Sequence, residues 1–166
     1  FTHTFKRKKW VWDVGVHAVG EVNDKAVVGR VLQNLTDGRL KWASLGNIYE
    51  EFYYPDLRID FPDNRPQFRD SLHAAFPADG AAIDEYLAQV KRVGSTMRNY
   101  YLSRVLPPSW APVFDRLIAG RAHALLTQST KSVLDRISPN ERLKTALTAQ
   151  WGYYGAPPSQ SSFAIQ

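Results

Sequence analysis

Apolar residues in the first part of the chain follow two different spacings. Residues 10–19 form a nearly continuous run of aromatic and β-branched residues, which predicts a buried strand. Between Lys25 and Leu35 the apolar residues recur every three or four positions, as on one face of a helix. Asp37 and Gly38 then supply a stop and a turn. The chain is therefore predicted to begin with a strand followed by a helix.

Three short extended segments are predicted next, at 40–45, 50–54 and 57–61. A Pro55-Asp56 turn separates the last two segments. Apolar and charged residues alternate over 57–61, which predicts one buried face and one wetter face. We therefore expect a small antiparallel sheet whose apolar face packs on helices.

Helical patterns dominate from residue 63 onward. The longest predicted helix runs from about 79 to 105, with Ile83 and Tyr101 on one apolar stripe, and ends before Pro107-Pro108. Shorter amphipathic helices are predicted at 67–75, 111–119, 121–126 and 131–137. In the last helix, Ser138 would be the cap, Pro139 the first helical residue and Glu141 the third, with the helix continuing to about Trp151.

These patterns predict an α+β fold with a small antiparallel sheet and a mostly helical C-terminal two-thirds. Residues 1–62 should be strand-rich, 63–151 helical and 152–166 a loop. With 166 residues, of which 44% are hydrophobic, the chain is long enough for one compact core. We therefore expect a single domain over residues 1–166.

Composition excludes several classes of site. The chain has no cysteine, which excludes disulfides, thiolate nucleophiles and zinc–thiolate sites. Its four histidines are too scattered for a recognisable metal site, so no metal is expected. No segment approaches the ~20 consecutive apolar residues of a membrane-spanning helix. We expect a cytoplasmic protein, and the absence of Met at position 1 suggests a fragment of a longer polypeptide.

The formal net charge of +5 leaves the choice of partner open. The densest basic run is residues 6–9, and such runs are usually a solvated loop or strand edge. A nucleic-acid-binding protein should show more basic clustering, so no nucleic-acid partner is expected. The alternative interpretation is a freestanding helical module that binds nucleic acid or an anionic membrane surface.

The chain lacks the motifs of a self-contained enzyme. It has no Gly-x-Gly-x-x-Gly, no phosphate-binding loop and no Gly-x-Ser-x-Gly elbow. Two segments nevertheless differ from ordinary packing sequence, namely Asp13-Val-Gly-Val-His17 and the Gly- and Pro-rich stretch 152–163.

A family resemblance explains both segments. Residues 2–20, 35–42, 76–86 and 150–163 are similar, in the same order and with similar spacing, to the phytoene desaturase, carotenoid isomerase and retinol saturase family. The resemblance covers nearly the whole chain. It implies an FAD-dependent oxidoreductase that acts on carbon–carbon bonds of a polyene or isoprenoid-like lipid. In this family the dinucleotide-binding motif would precede Phe1, so the chain is expected to be inactive alone and to need that FAD-binding domain as a partner.

The resemblance also assigns residues to the cofactor. It places Asp13 and Gly15 near the isoalloxazine ring, where a glycine without Cβ allows the backbone a close approach. His17 would face flavin and substrate, and it is the candidate catalytic residue. The alternative for His17 is a core histidine held by a backbone carbonyl. Ala18 stands where the family is expected to have a bulkier, often aromatic residue.

The expected substrate is an apolar small molecule. By resemblance, the C-terminal segment should line its cavity, the alternative being a flexible tail. Aromatic side chains are further candidates, although most aromatic residues of the chain should be core. A lipid substrate also suggests a peripheral membrane contact, with residues 6–9 as one candidate. The candidate substrate-binding residues are Trp12, Tyr53, Tyr101, Pro158, Ser161, Ser162 and Phe163.

Overall fold

The computed structural model describes residues 3–14, 18–23, 25–104 and 119–165. The chain divides into two compact units, Phe1–Leu45 and Gly46–Gln166, and each is described by itself. The assignment of the whole chain to one substrate-binding domain stays a prediction.

The first unit begins with a hairpin of β1 (His3–Arg7) and β2 (Trp10–Val14). Lys8 and Lys9 form its turn, and Lys8 has a positive φ of 54°. The prediction of a buried strand over 10–19 is wrong, since the described strand ends at Val14 and Trp10 is 59% exposed. A two-stranded sheet leaves both of its faces uncovered unless another element packs on it. The apolar composition of a strand does not show whether such an element is present.

A short helix follows as predicted. Helix α1 (Val27–Leu35) is followed by Asp37 and Gly38, which have φ of 50° and 67°. The Gly38 N–H donates to the Gln33 carbonyl at 2.8 Å and closes the C-terminus. The predicted extended segment at 40–45 is wrong, because no described segment pairs with it.

The second unit begins with a hairpin of β3 (Ile48–Tyr54) and β4 (Leu57–Pro62). Ile59 and Phe61 are buried while Arg58 is exposed, so the predicted alternation is confirmed. The buried face packs on the following helix. The strands thus form two separate two-stranded sheets within an α+β fold, and the predicted fold class is confirmed.

The described residues that follow this hairpin are mostly helical. Among them the helices are α2 (Arg65–Ala75), α3 (Gly80–Ser103), α4 (Gly120–Leu126), α5 (Thr130–Ile137) and α6 (Glu141–Leu147), with 3₁₀ turns at Pro77–Asp79 and Ala149–Tyr153. The predicted Pro107-Pro108 stop and nearly all of the predicted helix 111–119 lie outside the described residues. Among the described helices, none has the length and apolar character needed to cross a bilayer.

One cluster of buried side chains holds this unit together. Leu72, Ile83 and Leu143 are fully buried in it. Tyr101 departs from the predicted apolar stripe, because Tyr100 and Ser103 are the less exposed residues among the positions of α3 beyond Met97 whose burial is described. The core is therefore formed by β4, the helices and the C-terminal tail. Its buried apolar members are Ile59, Phe61, Leu72, Phe76, Ile83, Tyr86, Val93, Met97, Ala122, Val133, Leu134, Leu143, Ala146, Leu147 and Phe163.

The start of α6 differs from the prediction. Its cap is Asn140, whose Oδ1 accepts from the Arg142 and Leu143 N–H groups at 3.0 and 3.3 Å. Asn140 still has extended backbone angles, so the helix begins two residues later than a Ser138 cap requires. Ser138 instead follows α5, and its Oγ accepts from the Asn140 N–H at 3.0 Å. The helix also ends early, at Leu147, and continues as a 3₁₀ turn.

Candidate functional site

Cross-strand pairing divides the β1–β2 hairpin into two faces. Directly opposed residues of antiparallel strands share a face, and successive residues alternate between faces. Phe5 opposes Trp12, whereas Thr4 opposes Asp13. Trp12 and Asp13, the predicted substrate and cofactor residues of this strand, therefore point to opposite faces of the hairpin.

Asp13 is available to a ligand. It is exposed, and its carboxylate makes no hydrogen bond or ion pair within the part of the chain that the structure describes. An ionised carboxylate is an acceptor only, so its partner must supply hydroxyl or N–H donors. Gly15 and His17 lie outside the described residues. Their proposed positions beside a flavin therefore stay predictions.

The C-terminal segment packs against the start of α5. The Pro158 carbonyl accepts from the Lys131 N–H at 2.8 Å, and the Ser161 carbonyl accepts from the Thr130 N–H at 2.9 Å. A 3.1 Å hydrogen bond also joins the hydroxyls of Thr130 and Ser161, which are both buried residues. Tail carbonyls thus satisfy N–H groups that the first turn of a helix leaves unpaired.

Phe163 continues this packing. It is 5% exposed, and its ring meets the Tyr86 ring edge-on with centroids 6.1 Å apart. Its N–H donates to the Gln128 carbonyl at 2.9 Å, and the neighbouring Ser162 forms a β-bridge with Ser129. The tail is therefore a packed loop rather than a loose end. Contact of Ser161, Ser162 or Phe163 with a substrate stays a prediction.

Tyr53 and Tyr101 lie on the surface of the second unit. Tyr53 is 69% exposed, and its hydroxyl donates to Glu51 at 2.6 Å while the Arg58 guanidinium lies 5.3 Å over its ring. Donation to Glu51 raises the pKa of the Tyr53 phenol. Tyr101 is likewise exposed.

A shallow groove of about 400 Å³ lies beside Tyr100 rather than Tyr101. The Arg104 guanidinium lies 4.8 Å over the Tyr100 ring and donates to its hydroxyl at 3.0 Å. This pair was not predicted from the sequence, although its four-residue spacing on a predicted helix was the available signal. The described lining residues are Tyr100, Arg104, Ala119, Gly120, His123 and Leu126.

Three hydrogen bonds connect residues 150–153 to β3, and the longest of them runs from the Gln150 side-chain amide to the Tyr49 hydroxyl at 3.3 Å. Glu50 accepts from the Gln150 side-chain amide at 2.7 Å and from the Tyr153 hydroxyl at 2.6 Å. Donation to Glu50 raises the pKa of the Tyr153 phenol. Because both Glu50 oxygens are occupied, its role in the described structure is to position the 3₁₀ turn.

Basic side chains of α2 hold Asp84 of α3. Arg69 donates from Nε at 2.7 Å and from Nη2 at 3.0 Å, and His73 Nε2 lies 3.0 Å from the same carboxylate. The hydrogen bonds from Arg69 and then His73 lower the pKa of Asp84 to about 2. This arrangement fixes the contact between the two helices. Within the described residues, no three His, Asp or Glu side chains are grouped to hold a metal ion.

We expect acid to weaken this contact as the pH falls from about 5 to below about 2. The pKa of Asp84 falls from 3.8 to about 2 on folding, so its stabilising effect is complete well above the unfolded value and is lost as the pH falls through the folded value. Asp84→Asn should remove this part of the acid dependence of urea unfolding, followed by circular dichroism. Glu85→Gln, an exposed neighbour on α3, is the control and should keep it. Identical pH profiles for Asp84→Asn and the unaltered chain would contradict the assignment.

Comparison with known proteins gives relatives along nearly the whole chain. It is 29% identical over 174 residues to the all-trans-retinol 13,14-reductase of Danio rerio, covering 98% of this chain and 28% of the relative. For the Homo sapiens protein of the same name the identity is 28% over 171 residues, with the same coverage. An inactive all-trans-retinol 13,14-reductase of Danio rerio is 25% identical over 170 residues.

The chain spans about 28% of the length of these curated relatives. No family model and no solved structure matches it. The similarity confirms the resemblance inferred from the four ordered segments. The chain is homologous to one segment of the all-trans-retinol 13,14-reductases.

Proposed function

We propose that this chain is the substrate-binding portion of an FAD-dependent oxidoreductase that acts on carbon–carbon double bonds of a polyene or isoprenoid-like lipid. The observation that carries the proposal is the alignment of 98% of the chain with proteins named for reducing the 13,14 bond of retinol. The chain corresponds to only 28% of those proteins, so the activity is proposed for a longer polypeptide that contains it. The 166 residues would form its substrate-binding domain.

Asp13, Gly15 and His17 are the proposed cofactor-binding residues. The accessible carboxylate of Asp13, which has no partner within the described chain, supports a role in accepting hydrogen bonds from the bound cofactor. FAD, when bound, would supply the hydride chemistry that protein side chains lack. His17 is proposed to hydrogen-bond the substrate or to move a proton.

A long apolar substrate needs an apolar wall and few polar contacts. Trp12, Tyr53 and Tyr101 expose ring surface that could contact such a molecule or the remaining polypeptide. The tail residues Pro158, Ser161, Ser162 and Phe163 are proposed to hold the cavity in shape from the core side. For Ser161 and Phe163 this is a positioning role, since both are buried.

We propose reduction as the direction of the reaction, because the relatives are named as reductases. Reduction adds a hydride and a proton across one double bond and shortens the conjugated system, which moves the absorption of a polyene to shorter wavelength. Similar frameworks can host desaturation or isomerisation. One relative is named as inactive, so turnover must be measured directly.

The test uses a longer polypeptide that contains the chain, incubated without oxygen with all-trans-retinol and a chemical reductant of flavins. We expect a product heavier by two hydrogen atoms, with absorption at shorter wavelength. The isolated chain should give no product. Retinol recovered unchanged, from a polypeptide that also lacks flavin, would overturn the proposal.

Oligonucleotide binding and flavin content of the same preparation distinguish the oxidoreductase from the alternative, a freestanding binding module. A module that binds nucleic acid would bind single-stranded oligonucleotides tightly, with an affinity that falls steeply with salt. It would carry no flavin and turn over no polyene. The oxidoreductase proposal expects flavin and only weak oligonucleotide binding.

A further inference from the structure

We propose that one side of α1 docks the first unit onto the remaining part of the longer polypeptide. This side, called the apolar arc, consists of Val27, Val28, Val31 and Leu35. The identity of the remaining part as the cofactor-binding portion rests on the function proposed above. The place of the contact rests on the packing and exposure of α1 itself.

The apolar arc is continuous around the helix axis. At 3.6 residues per turn, its four members fall within about 100° of one another. In chain order their side chains are 65%, 40%, 49% and 74% exposed, so the described chain leaves the arc uncovered. The polar residues of the helix occupy the other side, and they are Arg30, Gln33 and Asn34.

Close packing at Gly29 fixes which side of α1 faces outward. The Gly29 N–H donates to the Glu21 carbonyl at 3.0 Å, and a Cβ at this position would overlap the Asn23 carbonyl oxygen. Val31 is two residues further along, roughly 200° around the axis, so it lies on the side opposite Gly29. The helix therefore cannot turn the apolar arc inward without losing the contact at Gly29.

The first unit has no apolar core of its own among its described residues. The buried apolar side chains of the described chain all belong to the second unit, and Gly29 is the one buried residue described within 1–45. Units of this size are rarely stable without a disulfide, a metal or another surface to pack on. The chain has no cysteine, so we infer that another surface supplies the missing layer.

The small size of the arc favours a contact within one polypeptide over a dimer. Each partner in a specific interface between separate molecules contributes about 20–30 residues, far more than four side chains. Two parts of one polypeptide are held at high effective concentration, so a smaller surface is sufficient to join them. The chain corresponds to 28% of its relatives, and most of the longer polypeptide therefore lies outside it.

The chemistry of the arc matches an aliphatic protein surface. Its members are valine and leucine, without an aromatic or charged side chain among them. Helices that lie in a bilayer interface carry rows of Lys or Arg along their polar face. In α1 the basic residues are limited to Arg30, so a bilayer is the less complementary partner.

Docking through α1 gives this helix a positioning role. Asp13, a proposed cofactor-binding residue, belongs to the same unit as α1. Fixing α1 on the cofactor-binding portion would hold the strand that carries Asp13 in place. The apolar arc would act in this way without touching the flavin.

The experiment measures how fast single introduced cysteines react with a maleimide. The chain has no cysteine, so each variant adds one thiol to it, and peptide mass spectrometry separates that thiol from any other in the longer polypeptide. Val31→Cys lies in the arc, and Gln33→Cys on the polar side is the matched control. We expect Val31→Cys to react at least about tenfold more slowly in the longer polypeptide than in the isolated chain, and Gln33→Cys to react equally in both.

Val31→Asp places a carboxylate in the proposed contact. The longer polypeptide with this substitution should lose flavin during gel filtration, whereas Gln33→Asp should leave flavin bound. Val31 is half exposed in the chain by itself, so Val31→Asp should leave the circular dichroism of the isolated chain unchanged. This second measurement separates loss of the contact from failure to fold.

Equal reactivity of Val31→Cys and Gln33→Cys in the longer polypeptide would overturn the docking surface. Slow reaction of Val31→Cys in the isolated chain would overturn it as well. If the slow reaction is independent of concentration, the chain covers the arc itself; if it appears with a doubled mass in sedimentation, a second copy does.

Cysteine labelling needs no flavin, so the two proposals can fail separately. A polypeptide that protects Val31→Cys but contains no flavin would contradict the proposed function and keep the docking surface. A polypeptide that binds flavin but leaves Val31→Cys as reactive as Gln33→Cys would do the reverse.

Discussion

Replacing Phe163 with alanine should lower the free energy of unfolding of the second unit by about 3–5 kcal/mol. The side chain is 5% exposed, belongs to the main buried cluster and meets the Tyr86 ring edge-on. Truncation would therefore remove buried apolar surface and leave a cavity that the surrounding helices cannot easily close. Urea unfolding followed by far-ultraviolet circular dichroism measures the loss.

Ile165→Ala is the control for this substitution. Ile165 lies two residues further along the same tail but is 62% exposed, so its truncation should cost less than about 0.5 kcal/mol. Equal small effects for the two substitutions would mean that the tail does not pack in the core. The anchoring of the tail on α5 would then be wrong as well.

Gly29→Ala should destabilise the first unit by at least about 2 kcal/mol. A Cβ at Gly29 would overlap the Asn23 carbonyl oxygen and lie 2.6 Å from the Val22 carbonyl carbon. Both are backbone atoms, which cannot rotate away as a side chain can, and the Gly29 N–H is bound to the Glu21 carbonyl at 3.0 Å. The segment before α1 must therefore move. Amide hydrogen exchange within α1 should become markedly faster.

Gly94→Ala tests whether the effect comes from the close approach and not from the loss of glycine in a helix. Gly94 lies within α3, and a Cβ there would meet nothing within 4 Å. Alanine has the higher helix propensity, so this variant should be more stable by about 0.5–1 kcal/mol. Slower exchange in both glycine variants would contradict the tight packing at Gly29.

Local patterns predicted most elements of the fold. Helix spacing placed α1, α2, α3, α4 and α5, and the alternation over 57–61 placed β4 and its buried face. These signals succeed because they lie within one element. Residues three or four positions apart share a face of a helix, and residues two positions apart share a face of a strand. The turns at Asp37-Gly38 and Pro55-Asp56 follow from the same local chemistry.

The errors concern features that depend on more than one element. The apolar run in β2 indicates a strand but cannot indicate whether another element packs on it. The described residues leave Trp10 59% exposed. Ser138 and Asn140 are both good caps; both side chains donate to Asp79, at 3.4 and 2.8 Å, and Asn140 is the one that caps α6. Such a long-range contact leaves no periodic signal in the sequence.

The candidate site was predictable only in part. Asp13 is exposed and without a partner among the described residues, as a ligand-binding residue can be. Tyr100 and Tyr101 are adjacent residues of the same type, so the sequence does not show which of them lines a groove. The packing of α3 against α4 places Tyr100 there. The burial of Ser161 likewise depends on hydrogen bonds to Thr130, which is distant in sequence.

The flavin content of a longer polypeptide that contains the chain is the most direct measurement. Released by denaturation and identified by absorption and mass, FAD should be present in stoichiometric amount. Asp13→Ala should lower its occupancy, whereas Thr4→Ala, which alters the opposed residue on the same face, should not. A correctly folded polypeptide that contains no flavin, or that keeps its flavin equally well after both substitutions, would contradict the placement of Asp13 beside the redox cofactor.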